Sequence, residues 1–168
     1  MSELAHRERV HLALSHQPPD RVPCDLGGRV SSIHYLAYQR LLETLDLPQH
    51  ELELDPFYSV MNLSPGLLAR LGVDFQYLFL RGPEYLSRRT SSDGSYENEW
   101  GVRVETVGIH SQRVSHPLAQ AGLADLAAYP WPQADAARRT EGLRERTCRL
   151  YEGTDYALVA APVSGGIF

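Results

Sequence analysis

The stretch YALVAAPVSGGIF, Tyr156 to Phe168, decides how the rest of the chain is read. Tyr156 to Ala161 is an apolar run without polar alternation, the pattern of a strand buried on both faces, as in parallel sheets. Pro162 ends the run, and Ser164-Gly165-Gly166 carries the residue types of a strand exit. A parallel strand needs neighbours on its edges and helices over its faces. No helix is encoded after Phe168, so the expectation is a truncated chain, an open part of a larger parallel sheet.

The upstream segments fit that expectation. Val73 to Leu80, VDFQYLFL, lies between Gly72 and Gly82-Pro83, and its aromatic and branched residues predict a second strand. Val22 to Leu26 predicts a further one, with Pro23 near its start and Gly27-Gly28 as its exit. Helices are expected between the strands. The first runs from Glu3 to about His16, capped by Ser2, with Leu4, Val10, Ala13 and Leu14 along one side. A second, capped by Ser31 or Ser32, runs to about Leu45 on an apolar face of Ile33, Leu36, Ala37, Leu41 and Leu45. Ser64-Pro65 opens a short helix that Gly72 closes, and Ala134 to Tyr151 predicts a longer one ending at Gly153. Between Leu86 and Pro117, the Asp93-Gly94 turn signal and the alternation of Trp100, Val102 and Val104 predict an inserted antiparallel hairpin.

Composition bounds the function. The 168 residues are 43% hydrophobic and 22% charged, ordinary for one globular domain. A net charge of −5 with interspersed signs carries no electrostatic footprint for nucleic acid. The N-terminus is charged throughout and no apolar segment approaches the roughly 18 residues of a membrane span, so the expected protein is cytoplasmic and has no membrane partner. Cys24 and Cys148 have no companions, which argues against a disulfide framework or a complete zinc site. His6, His11 and His16 recur at a five-residue step that spreads them around a helix, so they make no metal site. His34 could reach a site from the turn after Arg29; His110 and His116 flank the hairpin and read as surface residues. Asp25 reads either as an acid or as a structural residue, and Asp74, at a strand start, reads as structural.

The stretches RERVHLALSHQPPDRVPCDLGG, LGVDFQYL, ENEWGVRVE, HPLAQAGLADLAAYPWP and TDYALVAAPVSGGIF cover nearly the whole chain. In that order they resemble the N-terminal part of the uroporphyrinogen decarboxylase superfamily, which also contains corrinoid-linked methyltransferases. The resemblance implies an α/β fold in which residues 1–168 are the N-terminal portion of a (β/α)8 TIM barrel with a hairpin inserted at 86–117. Such a barrel spans about 250 residues and places its reaction centre at the C-terminal ends of the strands. The positions implied for substrate binding are Gly28, Arg29, Arg81, Ser164, Gly165, Gly166 and Phe168. Arg29 and Arg81 could clamp an acid group, and each also reads as a solvated arginine. The 164–166 backbone could cradle an anion or simply turn the chain. No catalytic residue is assigned.

Three departures separate the chain from the tetrapyrrole-biosynthetic decarboxylases. Their arginine-rich loop after the first strand reads GGRVS here, with Arg29 its only arginine. Their aspartate after the second strand falls on Arg81, which would repel positive charge developing on a pyrrole, and their tyrosine falls on Phe168. Methyl transfer is therefore the expected branch, with porphyrinogen decarboxylation as the alternative. In that branch a His-x-Cys pair and a later Cys hold zinc; no His-x-Cys occurs here, so no cofactor is expected within this chain, and zinc and a corrinoid belong to a full-length relative. The chain alone is expected to be catalytically inactive. The reading from a different class is a non-catalytic binding or assembly piece that self-associates through open strand edges.

Overall fold

The computed structural model describes residues 3–54, 59–81, 95–133, 135 and 137–161. The chain divides into two compact units, one of Met1–Leu80 with Gly142–Phe168 and one of Arg81–Glu141.

The first unit is built on a parallel pair of strands, β1 (Phe75–Leu78) and β5 (Ala157–Ala160), with Phe75 opposite Ala157 and Leu78 opposite Ala160. The ladder runs on at both ends, the Ala157 N–H donating to the Asp74 carbonyl and the Ala161 N–H to the Leu78 carbonyl, each at 2.9 Å. β1 begins two residues later than the expected start at Val73, and β5 one residue later than the expected start at Tyr156.

Among the described residues three helices precede β1: α1 (His6–Leu14), α2 (Tyr35–Thr44) and α3 (Pro65–Leu71). The expected signals of α3 are all local and all present. The Ser64 hydroxyl accepts from the Leu67 N–H, Pro65 opens the first turn, and Gly72 closes the helix in the left-handed region at φ +62°. In α2 the cap is His34, whose ring nitrogen accepts from the Leu36 N–H. Ser31 and Ser32 are used elsewhere: the Ser31 hydroxyl accepts from the Gly28 N–H, and Ser32 binds the Val60 carbonyl. The buried face of α2 is centred on Tyr38 and Leu42, which pack with Val60 and Leu67, while the expected Leu36 stays exposed. Ile33, Leu41 and Leu45 flank that core as partners.

The other departures concern the start of α1, the segment at Val22 to Leu26 and the helix before β5. Ser2 lies outside the described residues, and α1 starts at His6 from Ala5, which offers no side-chain cap. Its first N–H groups are met from far along the chain, His6 by the Asp155 carboxylate and Arg7 by the Asp155 carbonyl. Arg9 and Val10 are its buried residues, and Leu14 is 77% exposed. The strand expected at Val22 to Leu26 is an extended segment without a ladder, because Pro23 removes a donor and one backbone bond, from the Asp74 N–H to the Cys24 carbonyl, ties it to the end of β1. The helix expected from Ala134 to Tyr151 is divided into a short 3-10 turn (Ala137–Thr140) and α5 (Leu143–Gly153), because Gly142 sits at φ +65°.

The second unit holds an antiparallel sheet of β2 (Tyr96–Glu97), β3 (Arg103–Val107) and β4 (His110–Arg113), followed by α4 (Leu123–Ala128). The tight turn is Gly108-Ile109, with Gly108 at φ +64°. The Asp93-Gly94 signal lies outside the described residues. The Asn98 side-chain oxygen accepts from the N–H groups of Trp100 and Val102 and so closes the β2–β3 connection. Arg139 pairs with Glu99 and donates to the Gln133 carbonyl at 2.7 Å. The fold is thus mixed α/β with one small parallel and one antiparallel sheet, and the described residues do not close a barrel. None of the described helices is long and apolar enough to cross a membrane.

Candidate functional site

Two clusters of polar side chains lie at opposite ends of β1. At its C-terminal end the chain leaves the extended segment through Gly27 and Gly28, both buried. Gly27 has φ +111°, and a Cβ on Gly28 would stand 2.6 Å from the Tyr77 ring, so only glycine lets the turn lie on that ring. The turn closes through the Gly28 N–H to the Ser31 hydroxyl at 3.0 Å and the Ser31 N–H to the Gly28 carbonyl at 3.2 Å. The Tyr77 hydroxyl then donates to Asp25 at 2.9 Å. Burial, and next the Asp25 carboxylate, push the Tyr77 phenol above its ordinary value, so it remains a proton donor at neutral pH. Arg29 leans over the Phe79 ring, its guanidinium carbon 5.9 Å from the centroid, at the outer range of a cation–π contact. An acid, a phenol and a guanidinium therefore surround a close backbone approach, an arrangement that can bind an anionic group and hold a proton beside it.

Beneath this turn a cavity of about 270 Å³ opens between Leu26 and Gly27, the start of α3, the face of β1 and helix α5. Leu63, Leu68 and Tyr77 line it, and Arg146 enters from α5. A wider and more open depression of about 590 Å³ lies at His50 to Glu53 and Asn62. The smaller one is of chemical interest, because it adjoins the turn that carries Asp25 and Arg29.

At the N-terminal end of β1, Asp74 is fully buried at the centre of a charge network. Its carboxylate accepts from Arg9 at 2.6 Å, from Arg21 at 2.7 and 2.9 Å, from the His6 ring at 2.7 Å and from the Cys24 N–H at 2.7 Å. Burial pushes the Asp74 carboxyl up, but the hydrogen bonds from Arg21, Cys24, His6 and Arg9 outweigh it and hold the group at about 2. Arg9 also forks onto Asp20 at 2.6 and 2.8 Å, and that contact holds Asp20 well below the usual carboxylate range. Every oxygen of Asp74 is committed to these partners, so the residue is a structural anchor, as its strand-start position suggests.

Of the residues expected to bind substrate, the structure places Gly28 and Arg29 at the exit of β1. Arg81 belongs to the second unit, where its side chain pairs with Glu141 at 3.3 Å and both are exposed. Ser164, Gly165, Gly166 and Phe168 lie outside the described residues. Tyr77 and Arg146 were not anticipated. Tyr77 reads as strand filler until the Gly27-Gly28 turn is seen on its ring, and Arg146 lies among the inner-stripe residues Leu143, Thr147 and Leu150, where its charge gives no local signal of a partner. Among the described residues no three His, Cys, Asp or Glu side chains converge to hold a metal ion, and Cys24 and Cys148 are free and exposed. These residues do not fit a zinc site.

Comparison with protein-family models, curated proteins and solved structures finds no match to this chain.

Proposed function

We propose that this chain is the N-terminal part of a (β/α)8-barrel enzyme of the uroporphyrinogen decarboxylase superfamily, of the corrinoid-linked methyl-transfer branch, and that it does not complete a catalytic cycle by itself. The observation that carries the reading is the exit of β1, where Asp25, Arg29 and Tyr77 gather on the Gly27-Gly28 turn. Barrel enzymes build their sites at that end of the strands. The charge network supports it further. Arg9, Asp20 and Arg21 come from the first stretch that carries the resemblance and Asp74 from the second, and the network joins them below the opposite end of β1. In the alignment that the resemblance implies, Arg81 stands where the decarboxylases have an aspartate, and the loss of that carboxylate favours methyl transfer. In this reading Arg29 binds an acid group of the substrate or of a corrinoid beside the Gly27-Gly28 turn, and Asp25 orients the Tyr77 hydroxyl next to it. No zinc chemistry is assigned to these residues.

The test uses the complete gene product with zinc, a methylated corrinoid and a thiol acceptor, followed by product analysis. Methyl transfer is expected, and Arg29→Gln should raise the KM for the corrinoid about tenfold with little change in kcat. Loss of carboxyl groups from uroporphyrinogen offered in its place would replace this reading with decarboxylation. Activity on neither would remove the superfamily assignment.

A further inference from the structure

We infer that Ser31 is a positioning residue for the Tyr77 hydroxyl, aiming the phenolic proton at Asp25 across the Gly27-Gly28 turn. The inference rests on reading the exit of β1 as the site and adds a residue to it. The Ser31 hydroxyl accepts from the Gly28 N–H at 3.0 Å and is also hydrogen-bonded to Tyr77, whose own hydroxyl donates to Asp25 at 2.9 Å. A Cβ on Gly28 would lie 2.7 Å from the Tyr77 oxygen and 2.8 Å from the Ser31 oxygen, so both hydroxyls close over the same backbone position. Ser31 is itself tied to the turn, its N–H donating to the Gly28 carbonyl at 3.2 Å and its carbonyl accepting from the Gly27 N–H at 3.4 Å. Ser32 does not share the role, because its hydroxyl is bound to the Val60 carbonyl.

The order of protons along this chain of hydrogen bonds is fixed from both ends. A backbone N–H can only donate, so at Gly28 the Ser31 oxygen accepts and its own O–H is left for Tyr77. A carboxylate accepts, so the single Tyr77 proton goes to Asp25, an exposed residue at the mouth of the turn. The two neighbours act on the phenol in opposite senses. Burial and then Asp25 hold it above its ordinary value, whereas the Ser31 O–H favours the phenolate and draws it back down. The other charged groups nearby are Arg29, over the adjoining Phe79 ring, and Glu53 and Arg146, which border the depression beneath. Ser31 thus sets where the proton of this site points and how readily it leaves, which a serine that only closed the turn would not do.

The experiment labels the full 168-residue chain with a monofluorinated tyrosine and follows each phenol by fluorine NMR against pH, the Tyr77 signal being the one lost in Tyr77→Phe. The readout needs no substrate, so it decides the role of Ser31 whether or not methyl transfer is found. Ser31→Ala should raise the Tyr77 midpoint by about one pH unit, roughly tenfold in its ionisation constant, and Asp25→Asn should lower it, while the other tyrosines keep theirs. Ser31→Thr retains the hydroxyl and should leave the midpoint in place. Ser31→Cys, a weaker donor of similar size, should raise it by less than Ser31→Ala does, and it decides the matter if Ser31→Ala fails to fold. The proposal is overturned if the midpoint stays or falls in the variants that lack the hydroxyl, if Ser31→Ala and Asp25→Asn move it in the same direction, or if Ser31→Thr shifts it as far as Ser31→Ala.

Discussion

Asp74 shows how much a single position can carry. Its pKa of about 2 lies below the ordinary 3.8, so the folded chain binds fewer protons there than the unfolded chain. The stability it contributes is complete above about pH 4 and is lost as the pH falls through about 2. Urea midpoints measured at pH 5, 4 and 3 should therefore fall toward acid. Asp74→Asn should cost about 3–5 kcal/mol at neutral pH, because it leaves the fully buried Arg9 facing a neutral amide, and should flatten that acid limb. An acid limb of unchanged slope in the variant would show that Asp74 is not its source. Asp74 could be read as structural from its place before an apolar run, since a carboxylate there has backbone donors at hand. Its partners could not be read, because Arg9, Asp20 and Arg21 look like surface charges until the first helix is docked.

Among the elements, α1 and α3 differ in where their signals come from. The seven residues of α3 are bounded by Ser64, Pro65 and Gly72, all adjacent in the chain, so its limits follow from local chemistry. The start of α1 depends on Asp155, which lies 149 residues away and accepts from the His6 N–H at 3.2 Å. Removing it by Asp155→Ala should cost about 1 kcal/mol, the usual worth of a helix cap, and should speed hydrogen exchange at the His6 amide before it affects the centre of α1. Unchanged exchange at His6 would mean that the Asp155 backbone carbonyl alone holds the helix start. The same contrast explains the divided helix before β5. Periodicity continues through Glu141 and Gly142, yet the left-handed turn at Gly142 ends one segment and starts another.

The whole molecule is organised by a pairing between strands that are distant in sequence and by a separate unit between them. Within that second unit the two ends meet, since the Arg81 N–H donates to the Arg139 carbonyl at 3.1 Å and the Arg81 side chain pairs with Glu141. Replacing residues 82–138 by Gly-Gly-Ser should therefore leave the β1–β5 ladder intact. Hydrogen exchange would read this out as retained protection at Ala157 and Ala161, whose N–H groups bond to Asp74 and Leu78. Collapse of that protection would show that the first unit depends on the second for its fold.

Elements whose signals are adjacent in the chain were readable in advance: the apolar runs that became β1 and β5, the bounded helix α3, and the glycine turn at the foot of the candidate site. Hydrophobic periodicity and turn chemistry act over a few residues, so a linear reading can weigh them. The extended segment at Val22 to Leu26, the cap of α1, the rotation of α2 onto Tyr38 and the entry of Arg146 into the cavity were settled by three-dimensional packing. Each depends on a group supplied from elsewhere in the chain, and a buried donor or charge takes whichever partner the fold brings within about 3 Å, however far away it lies in sequence.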